Sequence, residues 1–233
     1  MDPTISTPRL QLTLLTKTDL DSNHVKWFHE LRSDEMCTSW SMRGRMHSLS
    51  ESRDFLTECL TQHASIHYAV HVKPSGSPPS PSNDKEIETE TPRYSPVYGE
   101  LIGEISLRDP DASPQLPPPK PRSTTQDHSS PPTIPSPFNF RILGYAFLQS
   151  SWGHGYATEA NAAMLSAWGA FCRREDKSKL SYVEAGVGRG NPASLKVVEK
   201  LGFEKVGWRV ADRPAFLGGK WQEPGYWIWG MYV

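Results

Sequence analysis

The chain has 233 residues, 36% of them hydrophobic, and a formal net charge of −1, which suits one generous domain or two small ones. The near-neutral balance, with a pI near 6.7, gives no electrostatic case for nucleic acid as the main partner, since phosphate binding asks for a basic surplus or patch. Cys37, Cys59 and Cys172 are odd in number and show no paired spacing, so neither a disulfide framework nor a zinc site is expected. No apolar run approaches the length of a membrane span and no signal peptide is recognisable. The expected setting is reducing and soluble, the cytoplasm or the nucleus, without a membrane partner.

In chain order, Arg9 to Leu15 (RLQLTLL) alternates like a half-buried strand. Thr18 or Asp19 then offers a cap for a helix carrying Leu20, Val25, Trp27, Phe28 and Leu31. Ser39 to His47 reads as a loop. A second helix starts at Ser50, with Glu51 and Asp54 where the helix dipole favours negative charge. Ile66 to Val72, Val97 to Leu107 and Phe140 to Leu148 are strand-like.

Two stretches separate those strands, 74–96 and 110–137. Sixteen of the 21 prolines fall between Pro74 and Pro137. Such Ser/Thr/Pro-rich sequence buries too little apolar surface to offset the entropy of ordering, so both are expected as mobile insertions in a single domain. The piece between them is one strand's worth of chain and cannot stand alone as a domain.

From Thr158 the period becomes helical, with Ala160, Ala163, Met164, Ala167, Trp168 and Phe171 on one face. Leu180 to Val187 is another strand. Asn191-Pro192 caps and opens a helix that Gly202 ends, and Phe203 to Val210 and Gly225 to Val233 complete the chain as strands. The order β-α-α-β-β-β-α-β-α-β-β predicts a mixed α/β layer fold, with about seven strands and about four helices.

The stretch SWGHGYATEA, residues 151–160, sets Gly153 and Gly155 around a histidine between a strand and a helix. A helix N-terminus carries unpaired amides and a partial positive charge, and glycines let a ligand approach them; phosphate is the ligand such a site fits. A plain tight turn would use the same glycines. No Gly-Lys-Ser or Gly-Lys-Thr is present, which argues against a nucleotide triphosphatase. GHGYAT also matches a dinucleotide fingerprint weakly, but the chain near Val187 lacks the acidic residue and the further βαβ units that such a fold wants.

Three pieces, LGYAFL at 143–148, WGHGYATEA at 152–160 and NPASLKVVEKLGF at 191–203, resemble the GNAT superfamily of acyl-CoA N-acyltransferases. Within it they are similar to the ribosomal-protein N-terminal acetyltransferase branch, RimJ/RimL-like, with Trp152 where other members carry Gln or Arg. The resemblance implies a mostly antiparallel sheet splayed near Phe147 and Glu184, with acetyl-CoA in the gap. The pyrophosphate would meet the loop from Gly153 through His154, Gly155, Tyr156 and Ala157 to Thr158. The pantetheine arm would pair with Phe147 and Leu148, where a free amide could polarise the thioester carbonyl, and would touch Asn191. Asn191 also reads as a plain helix cap.

Many members protonate the departing thiolate with a tyrosine seven residues after this Asn, but that place is Val198. The resembled branch uses a serine three residues after it, which is Ser194; a first-turn residue satisfying backbone groups is the other reading. A base must take a proton from the amine, and Glu104 and Glu184 on neighbouring strands are the candidates, each also readable as a structural carboxylate. Strict alternation puts Glu104 on the face of Ile102. His154 stands where the family accommodates Lys or Arg, so the resemblance implies a phosphate-side role, or plain exposure, and not catalysis. Trp40, Met42, Trp221 and Trp227 either line an acceptor pocket or fill the core.

The expected function is acetyl transfer from acetyl-CoA to a primary amine, a protein N-terminus or a small molecule, by direct attack in a ternary complex, without a metal. The chain would act as a monomer or homodimer. A CoA-binding sensor that has lost catalysis and a dinucleotide oxidoreductase are the alternatives.

Overall fold

The computed structural model describes residues 1–74, 91, 93–110 and 138–233. Most of both Pro-rich segments expected as insertions lies outside these residues.

The half-buried alternation of the N-terminal strand is realised as β2, Leu10–Leu14. An additional strand precedes it, β1, Thr4–Ser6, whose TIS offers no apolar alternation and which is held by pairing to β2. Helix α1, Asn23–Arg32, begins at Ser22, whose Oγ accepts from Val25 N–H. Neither Thr18 nor Asp19 is the cap, because the Asp19 carbonyl instead closes a turn onto Ser22. One turn of helix, α2 (Glu35–Thr38), is capped by Asp34. Helix α3, Leu49–Gln62, is capped by Ser48 while Glu51 reaches back to His47 N–H, two donors satisfied at once.

The meander follows as β3 (Ile66–Val72), β4 (Tyr94–Ser95), β5 (Gly99–Arg108) and β6 (Phe138–Phe147). Strand β4 lies within the first expected insertion. It pairs with β5, Ser95 is buried, and Arg93 binds Glu30 and Asp34, so residues 93–95 belong to the fold. Next come α4 (Tyr156–Glu175), β7 (Leu180–Val187), α5 (Pro192–Lys200) and β8 (Glu204–Val210). A short hairpin, β9 (Ala215–Leu217) with β10 (Lys220–Gln222), and the aromatic β11 (Gly225–Tyr232) complete the chain.

The main sheet runs β1-β2-β3-β5-β6-β7-β11-β8, with β4 on β5. Its ladders are antiparallel except β6 with β7. This mixed α/β arrangement is the expected mostly antiparallel sheet flanked by helices, with α2, β1, β4 and the hairpin added. Helices α4 and α5 cover one face through Ala160, Met164, Leu165, Trp168 and Val198 against Leu143, Val183 and Ala185. Helices α1 and α3 cover the other through Val25, Phe28, Leu31 and Leu56 against Ala69, Leu101 and Ala146.

One break in alternation reorients a candidate residue. In the β3–β5 ladder Val70 faces Gly103 and His71 faces Leu101, so Ile102 is an extra, bulged residue. Ile102 therefore packs on the α4 side, whereas Glu104, opposite Ala69 and Ala146, points to the α1 side. The expectation that Glu104 shares a face with Ile102 is corrected by that bulge.

Candidate active site

The parallel β6–β7 ladder runs from Phe138 opposite Leu180 to Ile142 opposite Glu184 and stops there. Beyond it the two strands stay with their outer neighbours. Strand β6 pairs with β5 as far as Phe147, and β7 pairs with β11 as far as Val187. A wedge-shaped gap thus opens above the Ile142–Glu184 rung. Leu148 N–H donates to the Ile102 carbonyl at 2.9 Å, and hydrogen-bonded rungs alternate along an antiparallel ladder. Tyr145 and Phe147 therefore turn their backbone groups away from β5, into the gap. The Phe147 carbonyl is met there by Trp152 Nε1 at 2.8 Å. Leu148 is committed elsewhere, its amide to Ile102 and its carbonyl to Ser151, so of the two pantetheine-pairing positions Phe147 is the one with an amide on the gap.

The glycine loop sits at the mouth of this wedge. Gly153 and Gly155 have φ of +80° and +79°, a region in which a side chain is strained; a Cβ on Gly153 would meet nothing. Conformation, not crowding, is what demands glycine at that position. Gly155 is the N-cap of α4, and no side chain caps that helix. Helices α1, α2, α3 and α5 each have a capping side chain, from Ser22, Asp34, Ser48 and Asn191. The first amides of α4, from Tyr156 through Ala157 to Thr158, thus lack a side-chain acceptor and suit an anionic group.

Arg9, 150 residues away from its partner and not anticipated from sequence, fastens this loop. It binds Glu159 through Nε at 2.7 Å, donates to the His154 carbonyl at 3.0 Å, and lies over the Tyr156 ring. His154 itself is exposed, its ring stacked on Tyr156. Its backbone, held by Arg9, and not its imidazole, is the part built into the loop.

Asn191 caps α5, its Oδ1 accepting from Ser194 N–H at 3.0 Å, which leaves its amide protons outside the cap. Ser194 Oγ is 2.6 Å from the hydroxyl of Tyr145. Burial pushes that phenol up to about 12, against a lowering from the Ser194 bond.

The two glutamates both lie on the α1 face of the sheet, yet differ in setting. Glu104 is buried against Arg32, with His67 Nδ1 at 3.8 Å from its other oxygen. Burial alone would raise its pKa; Arg32 and His67 outweigh that and hold the carboxyl below the usual range. Glu184 stands on the last rung before the strands part. Burial raises its pKa, opposed by Arg209 at 3.4 Å, and its Oε1 has no hydrogen-bond partner among the described residues.

Of the four acceptor-side aromatic and apolar candidates, Trp40 lies at the end of β7. Its ring lies so close to Gly188, just past β7, and to Gly218 in the β9–β10 turn that a side-chain carbon on either would touch it. Met42 and Trp221 are exposed, and Trp227 packs with Trp208 and Lys205. The cysteines are buried, and burial pushes the Cys37 and Cys59 thiols up to about 12 and about 11, which leaves them poor nucleophiles.

A sequence model of the acetyltransferase (GNAT) domain matches residues 9–204. The chain belongs to the GNAT acetyltransferase family. Membership makes it an acyl-CoA-dependent N-acetyltransferase and replaces the dinucleotide reading, which the single parallel pair among the described residues also disfavours. No curated protein matches it. Solved structures do. RimL, a ribosomal L7/L12 alpha-N-protein acetyltransferase in complex with coenzyme A, is 13% identical with a TM-score of 0.61, covering 99% of this chain and 98% of its own. Spermidine N-acetyltransferase of Vibrio cholerae, in complex with CoA and spermine, is 15% identical with a TM-score of 0.59, covering 97% and 96%. The ribosomal-protein-S5-alanine acetyltransferase of Vibrio fischeri is 14% identical with a TM-score of 0.58, covering 99% and 96%. At such identities the likeness is one of fold. No helix among the described residues is long and apolar enough to cross a membrane.

Two outcomes check the site. Gly155→Ala raises KM for acetyl-CoA about five- to thirty-fold, matching the ~1–2 kcal/mol strain of a left-handed alanine, whereas His154→Ala stays within about twofold; steady-state kinetics that reverse this order contradict the assignment. Glu104→Gln leaves Arg32 buried without its counter-charge and lowers unfolding free energy by about 3–5 kcal/mol, measured by urea denaturation. In the wild type that stabilisation is present above the ordinary glutamate range and is lost as pH falls through the lowered folded pKa.

Proposed function

We propose that the chain transfers the acetyl group of acetyl-CoA to a primary amine by direct attack in a ternary complex, with Glu184 as base and Ser194 as acid. One observation carries this reading: the two groups stand on opposite sides of the sheet at the level where β6 and β7 part. Glu184 alternates with the core residues Val183 and Ala185 and so faces away from α4 and α5, whereas Ser194 opens α5 on the other side. A thioester lying in the gap would present its carbonyl to an amine on the Glu184 side and its sulfur to Ser194.

The parts support one another chemically. The open amides of Tyr156 to Thr158 hold pyrophosphate, Phe147 N–H is available to a carbonyl oxygen, and Asn191 offers its amide protons to the pantetheine arm. Glu184 is suited to a base because burial favours its uptake of a proton. Glu104 is not, since its charge is locked to Arg32.

The acceptor we infer is a peptide N-terminus more readily than a polyamine. A polycation asks for unpaired carboxylates at the mouth. Here Glu184 is bound by Arg209 and Glu223 by Arg189, and the Trp40 ring lies against the end of β7 and the turn of the hairpin, whose Phe216 and Trp221 are exposed.

Release of free CoA thiol, measured with acetyl-CoA and a panel of N-terminal peptides and polyamines, tests the function. Peptides support turnover and polyamines do not; thermal stabilisation by acetyl-CoA with no thiol release from any amine would mark a sensor instead. Glu184→Gln lowers kcat/KM for the amine about a hundredfold, the low end of acid–base effects. The wild-type rate is lost as pH falls through the raised Glu184 pKa, so its acid limb lies above the usual carboxylate range, and the variant lacks that limb. Ser194→Ala lowers kcat about ten- to a hundredfold, and an unchanged kcat would remove Ser194 from the reaction.

A further inference from the structure

We infer that Tyr145 is a positioning residue for the reaction: its phenol holds the Ser194 hydroxyl with the serine proton aimed into the gap. This rests on the acetyl-transfer reading above and adds to it a residue on a different strand.

Tyr145 lies on β6 beyond Ile142, where the ladder to β7 has ended, and packs on the α4 side of the sheet. Ser194 belongs to the first turn of α5, which follows β7. The 2.6 Å contact between their oxygens therefore spans the two arms of the wedge, from β6 to the helix after β7. The phenol is also 3.3 Å from the Ser194 carbonyl, so both acceptors that face it belong to the same residue.

Chemistry then sets the direction of the bond. The phenol is a stronger acid than an aliphatic alcohol, and the Ser194 carbonyl is its farther acceptor, so on this inference Tyr145 donates to Ser194 Oγ. The serine proton, with its oxygen engaged by Tyr145 on one side, points elsewhere. Burial pushes the phenol up to about 12, which keeps its proton in place for this bond in the resting enzyme.

During transfer, the amine nitrogen bonds to the acetyl carbon and the carbon–sulfur bond breaks. The sulfur takes the Ser194 proton, Ser194 Oγ takes the Tyr145 proton, and the phenolate is reprotonated from water. The proton lost by the amine leaves through Glu184. Val198 occupies the place at which a tyrosine would have come from α5; Tyr145 brings a phenol to the same helix from the opposite arm.

Tyr145→Phe tests this because it removes one oxygen and keeps the ring in the core. With a peptide acceptor, kcat falls about tenfold, while KM for acetyl-CoA and the thermal shift on adding acetyl-CoA stay within about twofold and about a degree of wild type. The Tyr145→Phe/Ser194→Ala double variant has the kcat of Ser194→Ala alone, since residues that act as a unit are not additive. A wild-type kcat in Tyr145→Phe, or losses that multiply in the double variant, overturns the inference while leaving acetyl transfer intact. Absence of thiol release from the wild type with every amine overturns the functional reading, and this inference with it.

Discussion

The site depends on one constraint: β6 and β7 pair in parallel only to Ile142 and Glu184, and each then follows a different neighbour. Backbone groups of Tyr145 and Phe147 are left without a strand beside them, which inside a sheet is tolerable only where another partner can meet them. Both arms carry a break in register next to this point. Ile102 bulges between β3 and β5, and the β8–β11 ladder slips at Ile228 and Trp229. Bulges bend strands and increase their local twist, so two bends on opposite arms favour divergence. Trp152 and Ser194 then furnish side-chain partners inside the wedge, to the Phe147 carbonyl and the Tyr145 hydroxyl.

The gap also sets two kinds of residue on opposite faces of one sheet. Its α4 face carries the open helix start, Asn191, Ser194 and Tyr145. Its α1 face carries Glu184 at the base of the wedge and Glu104 further out, under α1. The two carboxylates differ by their partners more than by their depth. Arg32 is nearly buried and locks Glu104 as an ion, a pairing that contributes to the union of α1 with the sheet. Arg209 is farther from Glu184 and leaves one carboxylate oxygen free of hydrogen bonds among the described residues.

Much of this was legible in the sequence. Alternation located β2, strand-like composition located β3 and β7, the three-and-four spacing located α4, and Asn191-Pro192 with Gly202 located α5 to its cap. The paired glycines marked a strand-to-helix turn at positive φ, because their cost in backbone entropy needs a reason. Other features were hidden for physical reasons. Strands β1 and β4 are three and two residues long and exist through pairing, which leaves no period to read. The bulge put Ile102 on the face opposite Glu104, beside Ile105, and a single extra residue in a ladder has no local signature. Arg9 with Glu159 and Tyr145 with Ser194 join residues 150 and 49 positions apart, contacts that only the fold creates.

The central claim is that the wedge between β6 and β7 receives acetyl-CoA through backbone amides. Amide hydrogen exchange followed residue by residue by NMR, with and without saturating acetyl-CoA, addresses it most directly. The account predicts slowed exchange at Tyr145 and Phe147 and from Gly155 to Thr158, with α1 and the β9–β10 hairpin unchanged. Saturated binding with Tyr145 and Phe147 exchanging as in the free protein would contradict it.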